Sequence, residues 1–231
     1  MNSSTGSPTL ARSIDQPPPP FLREIQSDVV DIRVLELLTS RLCHEISGPI
    51  AAINNGVELL AEDDLDFQQD ALALVGDSAR RASSRLQFYR FAYGFSCDSA
   101  MVGTAPQDLA NLFFAETRIV CDYGDSVRGL PLASQKLACN LLLVGAEILS
   151  RGGSLALSDG PSGLDLQAIG EAAFLSPEAS AALMLAAPVS ALTLRIIQPY
   201  FTGLLAGALG WRLSHRAESQ GVRLTAVALT G

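Results

Sequence analysis

From Ser27 or Asp28 to about Ala61 the chain contains no proline or glycine until Gly48, and it opens on small polar residues. So long a stretch without a helix breaker, begun by capping residues, reads as one long helix. Pro49 bends it or opens it locally without necessarily ending it. Placed at about 100° per residue, Leu35, Leu38, Leu42, Ile46, Pro49, Ile53, Val57 and Leu60 fall along one line, a coiled-coil-like apolar seam. A second stretch begins at Asp66 with Gln69 after it in a capping-box-like arrangement, and runs to Gly94, where glycine suits the position past a helix end. Its seam is Leu72, Val75, Ala79, Ala82, Leu86, Tyr89 and Tyr93. Two long helices joined by about five residues make an antiparallel hairpin. One hairpin cannot cover both seams, so a second copy is expected to pair with it in a four-helix bundle, giving a homodimer.

Residues 1–27 carry Ser, Thr, Gly and the run Pro17 to Pro20, a composition that cannot bury enough apolar surface to hold one conformation; a disordered tail is expected. After Ser99 the elements shorten. A helix opens at Thr104, Pro106 and Gln107, a strand at Arg118, and PLASQKLACNLLLVGAEILSRGG reads as a helix closed by glycines. SLALS and LDLQAIG form a hairpin around DGPSG, SPEASAALMLAA starts a short helix, another covers about 192 to 209, and WRLSHRAE with VRLTAVAL end the chain as a strand pair. The fold class expected is α+β: a helical hairpin over 28–98 and an α/β sandwich over 99–231.

The net charge of -8 repels a phosphate backbone, and no run of Lys and Arg interleaved with aromatics offsets it, so nucleic acid is not an expected partner. The start MNSSTGSPTL lacks a charged residue followed by an apolar run, which argues against a secretory signal and for a cytoplasmic address. The most membrane-like segment, 189 to 211, is broken by Arg195, Gln198 and Pro199 and reads as a buried helix rather than a membrane span. Cys43, Cys97, Cys121 and Cys139 lie far apart in apolar surroundings, as small reduced core residues rather than metal ligands.

His44 is one of only two histidines in the chain. It lies about 180° from the seam of its own helix and so faces away from the bundle core. Ser40, Ser47, Gly48 and Ala51 surround it and are small, so another protein could approach the ring. Arg41, one turn earlier, can offer several donors to a phosphate beside the ring, and Glu45 can accept the proton of one imidazole nitrogen, leaving the other as nucleophile. These parts suit phosphoryl transfer. His215, beside Arg216 in a predicted strand, has no acid or nucleophile spaced to work with it.

The stretch His44, Glu45, Ile46, Ser47, Gly48, Pro49 resembles the H-E-[IL]-x-x-P phosphoacceptor box in the dimerisation and histidine-phosphotransfer domain of bacterial sensor histidine kinases. The resemblance implies a phosphoryl group carried on His44, with Glu45 as assisting base. Kinases with phosphatase activity commonly hold Thr or Asn where Gly48 stands, so that chemistry is not expected here. The later sequence resembles an eroded form of the same family's ATP-binding domain. Asn140 matches the first position of its N-box, but the magnesium-binding asparagine is replaced by Val144, which cannot ligate the ion. Ala168, Gly170 and Ala172 stand where an adenine-contacting D-x-G-x-G box would lie, and Asp159 falls in the hairpin turn instead.

A phosphoacceptor hairpin followed by a degenerate ATPase-like domain resembles the ChpT-type histidine phosphotransferases of alphaproteobacteria, with RLCHE carrying the histidine and NGVELL after it. The resemblance implies a phosphorelay carrier: it takes phosphate from the receiver domain of a hybrid kinase and passes it to response-regulator receivers, in cell-cycle control. It needs no cofactor of its own, magnesium being expected on the partner receiver. The alternatives are an ATP-dependent histidine kinase with a divergent site, and a scaffold without chemistry. Phe88, Phe91 and Phe95 point away from the second helix's seam and are expected to bury against the second domain, the alternative being a patch that meets a partner. Arg80, Arg81, Arg85 and Arg90 read as a solvated face, the alternative being that some of them meet an acidic receiver surface.

Overall fold

The structure, a computed structural model, describes residues 31–61, 65–94, 103–160 and 163–229, with the backbone alone at 65–67. The tail at 1–27, the helix start at Ser27 or Asp28, the side chain of Asp66, Phe95, Cys97 and the boundary near residue 98 lie outside what is described.

Helix α1 spans Ile32–Leu60 and continues through Pro49. Helix α2 spans Leu65–Tyr93 and packs back along it. Gly56 lets the two helices approach closely: an added Cβ there would stand 2.6 Å from a Val75 methyl and 3.3 Å from the Ala71 carbonyl. The seams are only partly covered within one chain: Leu42, Ile46, Ile53, Val75, Ala82 and Tyr89 are buried or half-buried, whereas Leu35, Val57, Leu72 and Leu86 are between 50% and 60% exposed.

Beyond the hairpin come α3 (Pro106–Ala115), β1 (Ile119–Tyr123), the single turn α4 (Asp125–Arg128), α5 (Leu132–Ile148), β2 (Gly153–Gly160) and β3 (Gly163–Ile169). They are followed by α6 (Pro177–Leu183), a 3-10 turn at Val189–Ala191, α7 (Ile197–Ala208), β4 (Trp211–Glu218) and β5 (Gly221–Ala228). Ser176 caps α6 by accepting from the Ala179 amide at 3.1 Å. The sheet order is β1-β2-β3-β5-β4, with β1 and β2 parallel and the other pairs antiparallel. Alternation puts Leu155, Leu157, Leu164, Leu166, Ala168, Leu224 and Ala226 on one buried face, and Ser154, Ala156, Asp165, Gln167 and Arg223 on the other. Helix α5 lies on the apolar face, where Gly145 allows the contact: a Cβ there would come within 2.6 Å of Leu155 and 3.0 Å of Leu166.

Residues 32–231 pack as one compact unit. Phe88 is fully buried and stacks on Phe113 at 4.5 Å between ring centres, with Phe91 and Phe114 beside it. These phenylalanines join α2 to the α/β layers as the sequence suggests. A smaller cluster unites Val34, Leu37 and Leu38 of α1 with Leu192, Ile196, Ile197 and Tyr200. The membrane-like segment 189 to 211 thus holds a 3-10 turn and a buried helix, and among the described residues no helix is long and apolar enough to cross a membrane.

Candidate functional site

His44 is exposed on α1, and Ser40, Ser47, Gly48 and Ala51 around it are exposed as well. Among the described residues, and apart from its chain neighbours and its own helix backbone, nothing lies within 4 Å of where a Cβ on Gly48 would stand. Ser47 turns its hydroxyl onto its own helix, donating to the Cys43 carbonyl at 2.7 Å. Cys43 departs from the core placement expected of it: it is exposed one residue before the histidine, whereas Cys139 is buried.

The two charged neighbours behave differently from the picture drawn from spacing. Arg41 is not free on the outer face; its side chain is 13% exposed and its Nη1 lies 2.5 Å from Glu147 Oε1 of α5. It fastens α1 to the α/β layers, and its Nε is buried without a hydrogen-bond partner among the described residues. Burial pushes the Glu147 carboxyl up to about 7, against the opposing pull of the Arg41 guanidinium. Glu45 forms an ion pair with Arg85 of α2, whose guanidinium sits 5.6 Å from the centre of the Phe113 ring. Among the described residues no hydrogen bond joins Glu45 to His44, as adjacent residues on a helix point in different directions. Arg85 is therefore a structural partner rather than part of a solvated face, and Arg81 likewise pairs with Glu116 at 3.1 Å. Arg80 pairs with Asp77 on the surface, and Arg90 is exposed.

Arg41, His44, Glu45, Glu147, Leu194 and Arg195, from α1, α5 and the segment before α7, line one cleft of about 460 Å³. Glu147, Leu194 and Arg195 had no signal in the sequence, because their place beside His44 depends on contacts between residues far apart in the chain.

The residues matched to nucleotide motifs hold structural posts. Asn140, fully buried, donates to the Ala92 carbonyl at 2.8 Å and the Lys136 carbonyl at 2.9 Å, and accepts from Gln198 Nε2 at 3.0 Å. Tyr93 donates its hydroxyl to Gln198, so a buried polar network ties α2 to α5 and α7. Burial of the Tyr93 phenol raises it to about 12, which keeps it a neutral donor. Val144 and Ala168 are fully buried. Ala172 sits at φ 58, a left-handed backbone that glycine adopts more readily. Asp159 lies not in the hairpin turn but at the end of β2, opposite Leu164, where its amide donates to Ser126 Oγ at 2.9 Å.

His215 is less isolated than its sequence neighbours indicate: the fold brings Ser180 Oγ to 2.7 Å from its Nε2. Among the described residues no carboxylate joins that exposed pair, which leaves the serine without the third group of an activated nucleophile.

An outward histidine on a two-helix hairpin, docked on a five-stranded α/β layer, is the arrangement of a histidine phosphotransfer scaffold. Residues 104–221 match the family profile described as histidine phosphotransferase C-terminal domain. The chain belongs to that family. It is 36% identical over 197 residues to the protein phosphotransferase ChpT of Brucella abortus (strain 2308), a match covering 82% of this chain and 93% of that protein. A solved structure described as a bacterial phosphotransferase at 1.7 Å superposes with a TM-score of 0.71 and 32% identity, covering 86% of this chain and 97% of that one.

Proposed function

We propose that the chain is a phosphorelay carrier in which His44 takes a phosphoryl group from a receiver-domain aspartate and passes it to the aspartate of another receiver. The observation that carries this reading is the exposed imidazole among small side chains on the hairpin, in a chain that belongs to the histidine phosphotransferases. A phosphoaspartate is an activated acyl phosphate. The lone pair of one ring nitrogen forms an N–P bond as the acyl P–O bond breaks, and the electron pair leaves on the aspartate carboxylate. The other ring nitrogen keeps its proton. The receiver's magnesium neutralises the moving charge, so the carrier needs to supply placement rather than a metal. Glu45 assists by its charge near the ring, though its direct partner is Arg85.

The same proposal includes a homodimer through the hairpin, a cytoplasmic location and a part in cell-cycle control. The dimer is supported by Leu35, Val57, Leu72 and Leu86, seam residues left half exposed or more in one chain. The other two rest on the ChpT-type resemblance. Autophosphorylation from ATP is not part of the reading, since buried Val144 offers no magnesium ligand and buried Ala168 no adenine acceptor.

The test is a transfer time course from a phosphorylated receiver, wild type beside His44→Ala, with ATP alone as control. Acid-labile label is expected on the wild type only and not from ATP. Label retained by His44→Ala, or loading from ATP, overturns the proposal.

A further inference from the structure

A phosphoryl group on His44 would bring two negative charges to the cleft, and the cation that spacing offers for it, Arg41, is engaged by Glu147. Glu45 is matched in turn by Arg85. Of the cleft's charged lining, Arg195 is left: it is exposed and forms no ion pair or hydrogen bond among the described residues. Its position is fixed by what lies on either side. Leu192 and Ile197 are fully buried and Ile196 is 9% exposed, all packed against Val34 of α1 and its neighbours. The amides of Ile196 and Ile197 donate to the Thr193 carbonyl at 3.2 and 3.0 Å, and Arg33 Nη2 donates to the Leu192 carbonyl at 2.9 Å. The turn is thus tied to the same helix that carries His44, and Leu194 and Arg195 are held outward at the cleft.

We infer that Arg195 is the phosphoryl-binding cation of the His44 cleft, in the part that sequence spacing gives to Arg41. The inference rests on His44 being the phosphoacceptor. A guanidinium presents paired N–H donors that match two phosphoryl oxygens, and Arg195 has no ion pair among the described residues to break before it binds. Because Arg195 belongs to the α/β domain, that domain completes the site and does more than support the hairpin.

The test separates phosphate contact from partner docking by using a small donor with no protein surface. Phosphoramidate phosphorylates imidazole directly: the ring nitrogen forms the N–P bond, the donor's own P–N bond breaks, and ammonia leaves. Initial rates of His44 labelling are measured with phosphoramidate and with a phosphorylated receiver for wild type, Arg195→Ala, Arg195→Gln and Arg195→Lys. Loss of a charge-assisted contact predicts labelling slower by ~10-fold or more with both donors for Ala and Gln, and partial recovery with Lys. Unfolding temperature is expected to stay unchanged, since the side chain is exposed. Slowing with the receiver alone would mean that Arg195 meets the partner's surface, and unchanged rates with both donors would mean that it has no part; either overturns the inference while leaving His44 as acceptor. Failure of the wild type to label on His44 from either donor removes the underlying reading, and this one with it.

Discussion

An imidazole on a helix surface can be reached by a receiver's active site only if nothing larger on its own helix stands in front of it, and the exposed helix neighbours Ser40, Ser47, Gly48 and Ala51 of His44 are all small. Ala51→Trp is therefore expected to raise the KM for a receiver by ~10-fold, the loss of about 1.4 kcal/mol of docking, without lowering the unfolding temperature. A KM equal to wild type would place the approach elsewhere. Glu147 gives a second prediction at this scale. Its carboxyl, held up at about 7 by burial, keeps a proton that the unfolded chain releases at the ordinary value of 4.5. The folded state binds more protons between those limits, so stability falls as pH rises through that window. Melting curves of Glu147→Gln should lack this part of the decline; identical slopes in variant and wild type would contradict the burial argument.

At the scale of elements, the hairpin is held to the α/β layers by a ring stack and a buried polar network. Phe88→Ala removes a fully buried ring and should cost about 3–5 kcal/mol by denaturant titration. Asn140→Ala strips the Ala92 carbonyl of a donor and Gln198 of an acceptor, a loss of about 1–3 kcal/mol. Much of this level was legible beforehand. The seams of α1 and α2, the alternation in SLALS and LDLQAIG, and the glycines closing α5 each leave a local mark that spacing reveals. The single turn Asp125–Arg128 is too short to show a period, and the helix expected from about 192 begins only at Ile197, after a 3-10 turn at Val189–Ala191 that carries no period of its own. The outward face of His44 was legible for the same reason as the seam opposite it. The pairing of Arg41 with Glu147, of Glu45 with Arg85, and the arrival of Arg195 were not, because each joins segments that only the folded chain brings together.

For the whole molecule, the exposed seam residues set the expected assembly. Leu72→Glu combined with Leu86→Glu should convert a dimer to a monomer in light scattering, and a wild type that is monomeric at every concentration would remove the bundle from the account. The relay itself depends on which of the chain's two histidines takes the phosphoryl group, His44 on the hairpin or His215 beside Ser180. Mass spectrometry under neutral conditions, after incubation with a phosphorylated receiver, distinguishes them directly. The account predicts the added phosphoryl mass on the peptide containing His44 and none on that containing His215; phosphate found on His215, or on neither, contradicts it.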